Sequence, residues 1–354
     1  MVEYSDVADV LIDITMKIIV EKNIPFIKGL LERYAEVVYL SPEAIDAAAM
    51  ADADALVTRT RTRCDASLLD GSKCRFIATA TIGTDHIDLD YCRTHGITVA
   101  NAPGCNAPGV AQYVLSSIAC RTSLRSGIAD LKGLTLGVVG VGHVGRIVCE
   151  WASGLGMNVL KCDPPRAEKE GAEGFVSLEE IAERADIITF HTPMTRVGKY
   201  PTCHMVDKAF FSSLRRSPML INSARGPVVD NVALADAVRA GLVGDIAIDC
   251  WEGEPDISRD LLSMAVVATP HIAGYSRQGK IRATAMAVEA LCRHFDLPVV
   301  KPLETVPADI PHSPTLAMIT DSYSPEADTA SLRNSPESFE SLRNHYDYRD
   351  EPRA

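Results

Sequence analysis

From Met16 onward, short apolar runs rich in branched residues alternate with stretches of helical spacing. Residues 17–21, 37–40, 55–58, 76–79 and 98–100 are brief and almost wholly apolar. That is the pattern of strands buried on both faces of a parallel sheet. Between them, residues 24–34 and 42–51 carry helical spacing. From Asn106 the apolar positions Val110, Val114, Leu115 and Ile118 predict a longer helix. The cycle then restarts more strongly. Strands are predicted at 134–139, 158–162, 187–190, 219–222, 245–249 and 265–268. Helices are predicted at 144–155, 177–184, 207–214 and 231–240, with a closing helix at 276–295.

Such alternation implies parallel strands joined by crossover helices, hence an α/β chain. Its two series predict two parallel-sheet domains, Rossmann-like or flavodoxin-like, with a cleft between them. One is expected over 16–115, completed by 274–300, and the other over 116–273. Residues 1–15 read as an N-terminal extension. They hold Glu3, Asp6, Asp9 and Asp13 without a basic residue, which does not suit a signal peptide. Residues 301–354 read as a short appendage of loop and a helix near 335–345, with seven prolines in 54 residues and twice as many acidic as basic side chains.

With 354 residues, 47% of them apolar and 23% charged, the chain can fill two packed cores. The formal charge of −12 disfavours nucleic acid and anionic membrane as partners, because long-range repulsion opposes both. The uncharged run 96–120 contains Asn101, Pro103, Asn106, Pro108 and Gln112, so it is not read as a membrane span. The ten cysteines include no C-x-x-C pair. They are expected to be reduced thiols of a cytoplasmic protein, with no metal site.

The motif Gly140-Val-Gly142-His143-Val144-Gly145 follows a predicted strand and opens a predicted helix. In that setting the glycines permit a tight turn, backbone approach to a pyrophosphate, and helix-on-strand packing. The helix N-terminus then offers free N–H groups to the phosphates. Asp163 ends the next strand, 23 residues after Gly140, where an acid can bind both ribose hydroxyls and repel a 2′-phosphate. NAD is therefore the expected cofactor. Arg225, Glu254 and His271 each emerge just past a later strand. Ligands of open α/β sheets bind at those carboxyl ends. A guanidinium fork, a carboxylate and an imidazole form a coherent set for binding an acid and moving a proton.

The segments Leu131–Gly145, Leu220–Asp230 and Pro270–Gly274 resemble the D-isomer-specific 2-hydroxyacid dehydrogenases. The resemblance implies Arg225 as the substrate-carboxylate ligand, His271 as acid/base and Glu254 as its partner. Further details resemble the erythronate-4-phosphate dehydrogenases of vitamin B6 biosynthesis. They are Ala80–His86, Cys162–Arg166, His191-Thr192-Pro193, Trp251–Pro255 and His271–Tyr275. This implies oxidation of 4-phospho-D-erythronate at C2, with substrate contacts at Thr60, Thr81 and Tyr275. It also implies cofactor contacts at Thr192, Ala224, Asp249 and Gly274. Arg59, beside Thr60, is a candidate for the substrate phosphate. A homodimer is implied as well, although the subfamily's C-terminal dimerisation domain is much shortened here. Two alternatives stay open on these residues: a relative acting on another D-2-hydroxyacid, such as 3-phosphoglycerate, and an NAD-sensing corepressor-like binding protein.

Overall fold

The structure is a computed structural model and describes residues 16–127, 129–299 and 311–353. The predicted extension 1–15 and the first part of the tail, 301–310, lie outside the described residues. Contacts divide the chain into two compact units, 1–105 with 280–306, and 106–279 with 307–354. The first boundary falls at Cys105 rather than at 115. The helix Ala107–Ser126 is buried along most of its length, and Val110, Val114, Leu115 and Ile118 belong to a core of the second unit.

The first unit is built on strands β1 (Lys17–Glu21), β2 (Glu36–Leu40), β3 (Ala55–Thr58), β4 (Phe76–Thr79) and β5 (Thr98–Ala100). They pair in parallel in the order β2-β1-β3-β4-β5. Successive residues of a strand point to opposite faces. Ile18 and Val20 accordingly enter one core, and Ile19 the other.

The second unit holds β6 (Thr135–Val139), β7 (Asn158–Cys162), β8 (Ile187–Phe190), β9 (Met219–Asn222), β10 (Asp245–Ile248) and β11 (Val267–Ala268). Their order is β11-β10-β9-β8-β6-β7, again all parallel. In each sheet the strand order reverses between the first and third strands of the unit. Such a switch point leaves a crevice at the carboxyl ends of the strands. In the second unit it falls between β6 and β8, directly below the glycine-rich turn.

Three expectations change. Residues 24–34 form consecutive turns, not a helix. Pro25 interrupts the run, and Phe26 and Gly29 have φ of 62° and 85°. Ile24, Ile27, Leu30 and Leu31 are still buried, so the apolar spacing was real while the backbone was not helical. Residues 42–51 split into a 3-10 turn, Pro42–Ala44, and one helical turn, Ala47–Met50, capped by Asp46. The tail also differs. Beyond the expected short helix, Phe339–Asn344, it forms helices Leu316–Ser322 and Glu326–Asn334. Ile319, Leu332 and Phe339 from these helices, with Tyr323 just past the first, complete the cores of the second unit.

Candidate active site

The glycine-rich turn follows β6, and its helix, His143–Gly154, begins at the motif. A Cβ on Gly145 would lie 2.1 Å from the Gly140 carbonyl oxygen, so only glycine lets this helix pack so closely. A Cβ on Gly142 would meet nothing within 4 Å. The turn therefore presents an open backbone cradle where a pyrophosphate can approach. His143 is exposed and Val144 half-buried at the mouth of the helix.

Asp163 stands at the end of β7 and caps the next helix. Its carboxylate accepts the Arg166 N–H at 3.1 Å and the Val141 N–H at 2.8 Å. A carboxylate has about four lone-pair sites, so capacity remains for ribose hydroxyls. Arg166, three residues past Asp163, is engaged by Glu170 and by the Val141 carbonyl oxygen. It is not poised for a 2′-phosphate. Thr192 Oγ1, after β8, and Ser223 Oγ, after β9, are buried with no hydrogen-bond partner among the described residues. Buried polar atoms of this kind call for a ligand, and a dinucleotide supplies one. Desolvation pushes the neighbouring His191 imidazole down to about 3, so it stays neutral. The donor set fits NAD.

The candidate acid/base set comes from three loops after β9, β10 and β11. Asn222 organises the first: its Nδ2 donates to the Arg225 carbonyl at 3.0 Å and to that of Cys250 at 3.2 Å, while its Oδ1 accepts from Ala224. Next to Arg225, a Cβ on Gly226 would lie 2.0 Å from the Trp251 carbonyl oxygen. The two loops can cross there only because that residue is glycine. Arg225 Nη1 donates to the Ala224 carbonyl at 2.8 Å.

In the second loop, Glu254 Oε1 accepts the Trp251 N–H at 2.8 Å, and Oε2 lies 2.8 Å from His271 Nδ1. Both side chains are largely enclosed, at 19% and 27% exposed. Burial pushes the Glu254 carboxyl up, but the His271 charge and hydrogen bond, the Trp251 N–H and Arg343 outweigh it. The net position is below the usual carboxylate range. The balance of these interactions favours the Glu254 anion.

Ala224 and Asp249 are buried in the same unit, and Gly274 packs against Asn106. Asp249 turns both oxygens toward the third loop, accepting the N–H groups of Ile272 and Ala273 at 2.7 and 3.0 Å. Its described contacts hold that loop. Cys250 Sγ, Glu254 and His271 are the one His/Cys/acid cluster among the described residues tight enough for a cation, with donor atoms within 4.8 Å. Burial drives the Cys250 thiol well above its ordinary value, which disfavours the thiolate that a metal needs.

Arg59, Thr60 and Thr81 belong to the first unit. Arg59 Nη1 donates to the Asn23 carbonyl, Thr60 is exposed, and the Thr81 hydroxyl lies 2.7 Å from that of Thr79. Sequence reasoning missed three residues here. Glu21 is buried, and its Oε2 accepts from Thr58 Oγ1, the Arg59 N–H and Thr62 Oγ1 at 3.1, 3.0 and 3.3 Å. Its signal was an acid closing an apolar strand. Arg343 Nε donates to Tyr275 Oη at 3.3 Å, and its charge acts on Glu254. Arg349 reaches the His271 loop from behind. Neither arginine carried a local signal.

All ten cysteines are free thiols. Among the described residues no helix is long and apolar enough to cross a membrane. Residues 113–273 match the family described as D-isomer specific 2-hydroxyacid dehydrogenase, NAD binding domain. Over 346 residues the chain is 47% identical to an erythronate-4-phosphate dehydrogenase of Bacteroides thetaiotaomicron, covering 96% of this chain and 98% of that protein. It is 41% identical to the enzyme of the same name from Porphyromonas gingivalis, covering 96% and 94%. Among solved structures, an NAD+-bound 3-phosphoglycerate dehydrogenase of Entamoeba histolytica is similar at 26% identity, with a TM-score of 0.67 over 83% of this chain and all of that one. The chain therefore belongs to the D-isomer-specific 2-hydroxyacid dehydrogenases, in the family of the erythronate-4-phosphate dehydrogenases.

Proposed function

We propose that this chain oxidises 4-phospho-D-erythronate to 2-oxo-3-hydroxy-4-phosphobutanoate with NAD, in the biosynthesis of pyridoxal 5′-phosphate. The observation that carries the chemistry is the enclosed His271–Glu254 pair at 2.8 Å. The relatives' name supports the substrate.

With Nδ1–H donated to Glu254, neutral His271 leaves its Nε2 lone pair free to accept the C2 hydroxyl proton. As the imidazole becomes positive, the Glu254 anion stabilises it. Arg225 takes the substrate carboxylate through paired N–H groups and fixes C2 before the histidine. The glycine turn after β6 and Asp163 would hold NAD, whose nicotinamide ring would supply the acceptor for the C2 hydride. The alcohol thereby loses a hydride and a proton and becomes a ketone. Arg59 is assigned to the substrate phosphate, and Thr60, Thr81 and Tyr275 to its other oxygens.

Formation of NADH from 4-phospho-D-erythronate, 3-phosphoglycerate and D-lactate tests the reading. The first is expected to give the highest kcat/KM; faster turnover of either competitor overturns the substrate assignment. Ten free thiols suit a cytoplasmic enzyme. A homodimer, supported by the resemblance of the tail to the subfamily's dimerisation domain, is checked by sedimentation equilibrium.

A further inference from the structure

We infer that the C-terminal segment 346–351 is a working part of the acid/base site, with Arg349 as a positioning residue that sets His271. This rests on the dehydrogenase reading given above.

His271 sits in the left-handed backbone region, with φ of 58°. A residue with a side chain holds that conformation only when its surroundings over-determine it. The amide side is held by Asp249: its backbone carbonyl accepts the His271 N–H at 3.0 Å, and its carboxylate accepts the next two. The carbonyl side is held by Arg349. Its Nη1 donates to the Ile272 carbonyl at 3.0 Å, and its Nη2 donates to that of Ala273. Residues 272 and 273 are thus gripped at N–H by a buried carboxyl group and at C=O by a buried guanidinium.

The guanidinium is anchored in turn. Nη2 donates to the Gly109 carbonyl at 3.1 Å and Nε to Gln112 Oε1 at 2.9 Å, and the group lies 4.2 Å from the Tyr323 ring centroid. A planar fork with five donors can bridge a helix and a loop in this way, whereas an ammonium cannot. The segment that carries it is zipped to the residues after the loop. Arg277 N–H donates to the Arg349 carbonyl at 2.9 Å, Ser276 Oγ to Glu351 Oε1 at 2.6 Å, and Glu351 N–H to Gln278 Oε1 at 3.0 Å. A tail whose composition suggested loop therefore closes over the back of the catalytic histidine.

The test uses the full-length protein with Arg349→Lys, which keeps the charge and loses the fork. Oxidation kcat should fall by about tenfold to a hundredfold, the scale of a small misplacement of a reacting group. The NAD dissociation constant, read by fluorescence titration, should stay within about twofold, because the cradle after β6 is untouched. Guanidinium ion should restore part of kcat to Arg349→Ala. A folded Arg349→Lys protein with parental kcat overturns the proposal, as does an equal loss of kcat and NAD affinity. Should Arg349→Lys not fold, Glu351→Gln loosens the Ser276 anchor without touching the loop. A fall in kcat of about threefold, the scale of one hydrogen bond, supports the proposal there, and parental kcat overturns it. An inactive parent protein overturns both readings, whereas an active parent with an unaffected Arg349→Lys variant overturns this one alone.

Discussion

The loop around Glu21 in the first unit and the loop around Asp249 in the second are built by the same device, to different effect. Each carboxylate is 1% exposed at the end of a parallel strand and binds loop donors. Glu21 uses one oxygen for three donors, Thr58, Arg59 and Thr62, and leaves the side chain of Thr60 exposed. Asp249 uses both oxygens, and Arg349 grips the same peptides from the other side. The first arrangement shapes a loop and leaves its side chains able to adjust, as recognition of a substrate requires. The second fixes a loop on both sides, as proton transfer requires, because a misplacement of about 1 Å can cost about a hundredfold in rate. On this comparison, changes in the second unit's loop should act on kcat, and changes in the first unit's loop should act on KM.

The largest effect is expected from His271→Ala, which should lower oxidation by about a hundredfold or more. Its NAD dissociation constant should remain parental, and a variant that loses NAD binding to the same degree would break the separation of cradle and acid/base loop.

Glu254→Gln comes next. It preserves shape and removes the charge that favours the imidazolium. The acid limb of kcat/KM for oxidation should move to lower pH. The reduction direction, which needs imidazolium, should lose activity at neutral pH. Stability reports on the same pair. The Glu254 carboxyl lies below its ordinary 4.5 in the folded chain, so the contribution of the pair is present above that value. It is lost as pH falls through the lower folded value. Thermal melts of Glu254→Gln should therefore be flatter against acid than those of the parent. An acid limb that does not move, with both directions equally slowed, would uncouple the two residues.

Glu21→Gln probes the other loop. The KM for substrate should rise by about threefold to tenfold, in line with the loss of charge-assisted hydrogen bonds, with kcat near parental. If kcat falls and KM holds, the contrast between the loops is wrong.

The smallest effect is expected from Asp163→Asn, which keeps a capping side chain and removes the negative charge. The NADP-to-NAD ratio of kcat/KM should rise a few-fold. It should not rise far, because Arg166 is already tied to Glu170. An unchanged ratio would mean that Asp163 serves only the helix it caps.

Legibility followed the range of the interactions. Seven strands, β1, β3, β4, β5, β7, β8 and β9, occupy the residues that hydrophobic patterning predicts. Strands buried on both faces need continuous apolar runs, and that need leaves its trace in adjacent residues. The site candidates Arg225, Glu254 and His271 were legible for a related reason. A parallel strand announces its own carboxyl end, and the next polar residues emerge there. Residues 24–34 misled because a run of turns buried the same spacing that a helix would bury.

The amino-acid sequence by itself determined the α/β alternation, the glycine cradle and the candidate acid/base set, since each depends on neighbours a few positions away. The grip on the His271 loop was decided only by the tertiary structure. Arg349 meets Ile272 across 77 positions of the chain, and Gly109 across 240. An arginine among acidic and proline residues looks solvated when its neighbours are read along the chain. It becomes a buried, multiply bonded clamp because folding brings it four carbonyl-type oxygens, those of Gly109, Ile272, Ala273 and the Gln112 side chain. No short window of sequence contains both a cation and the distant acceptors that make its burial favourable.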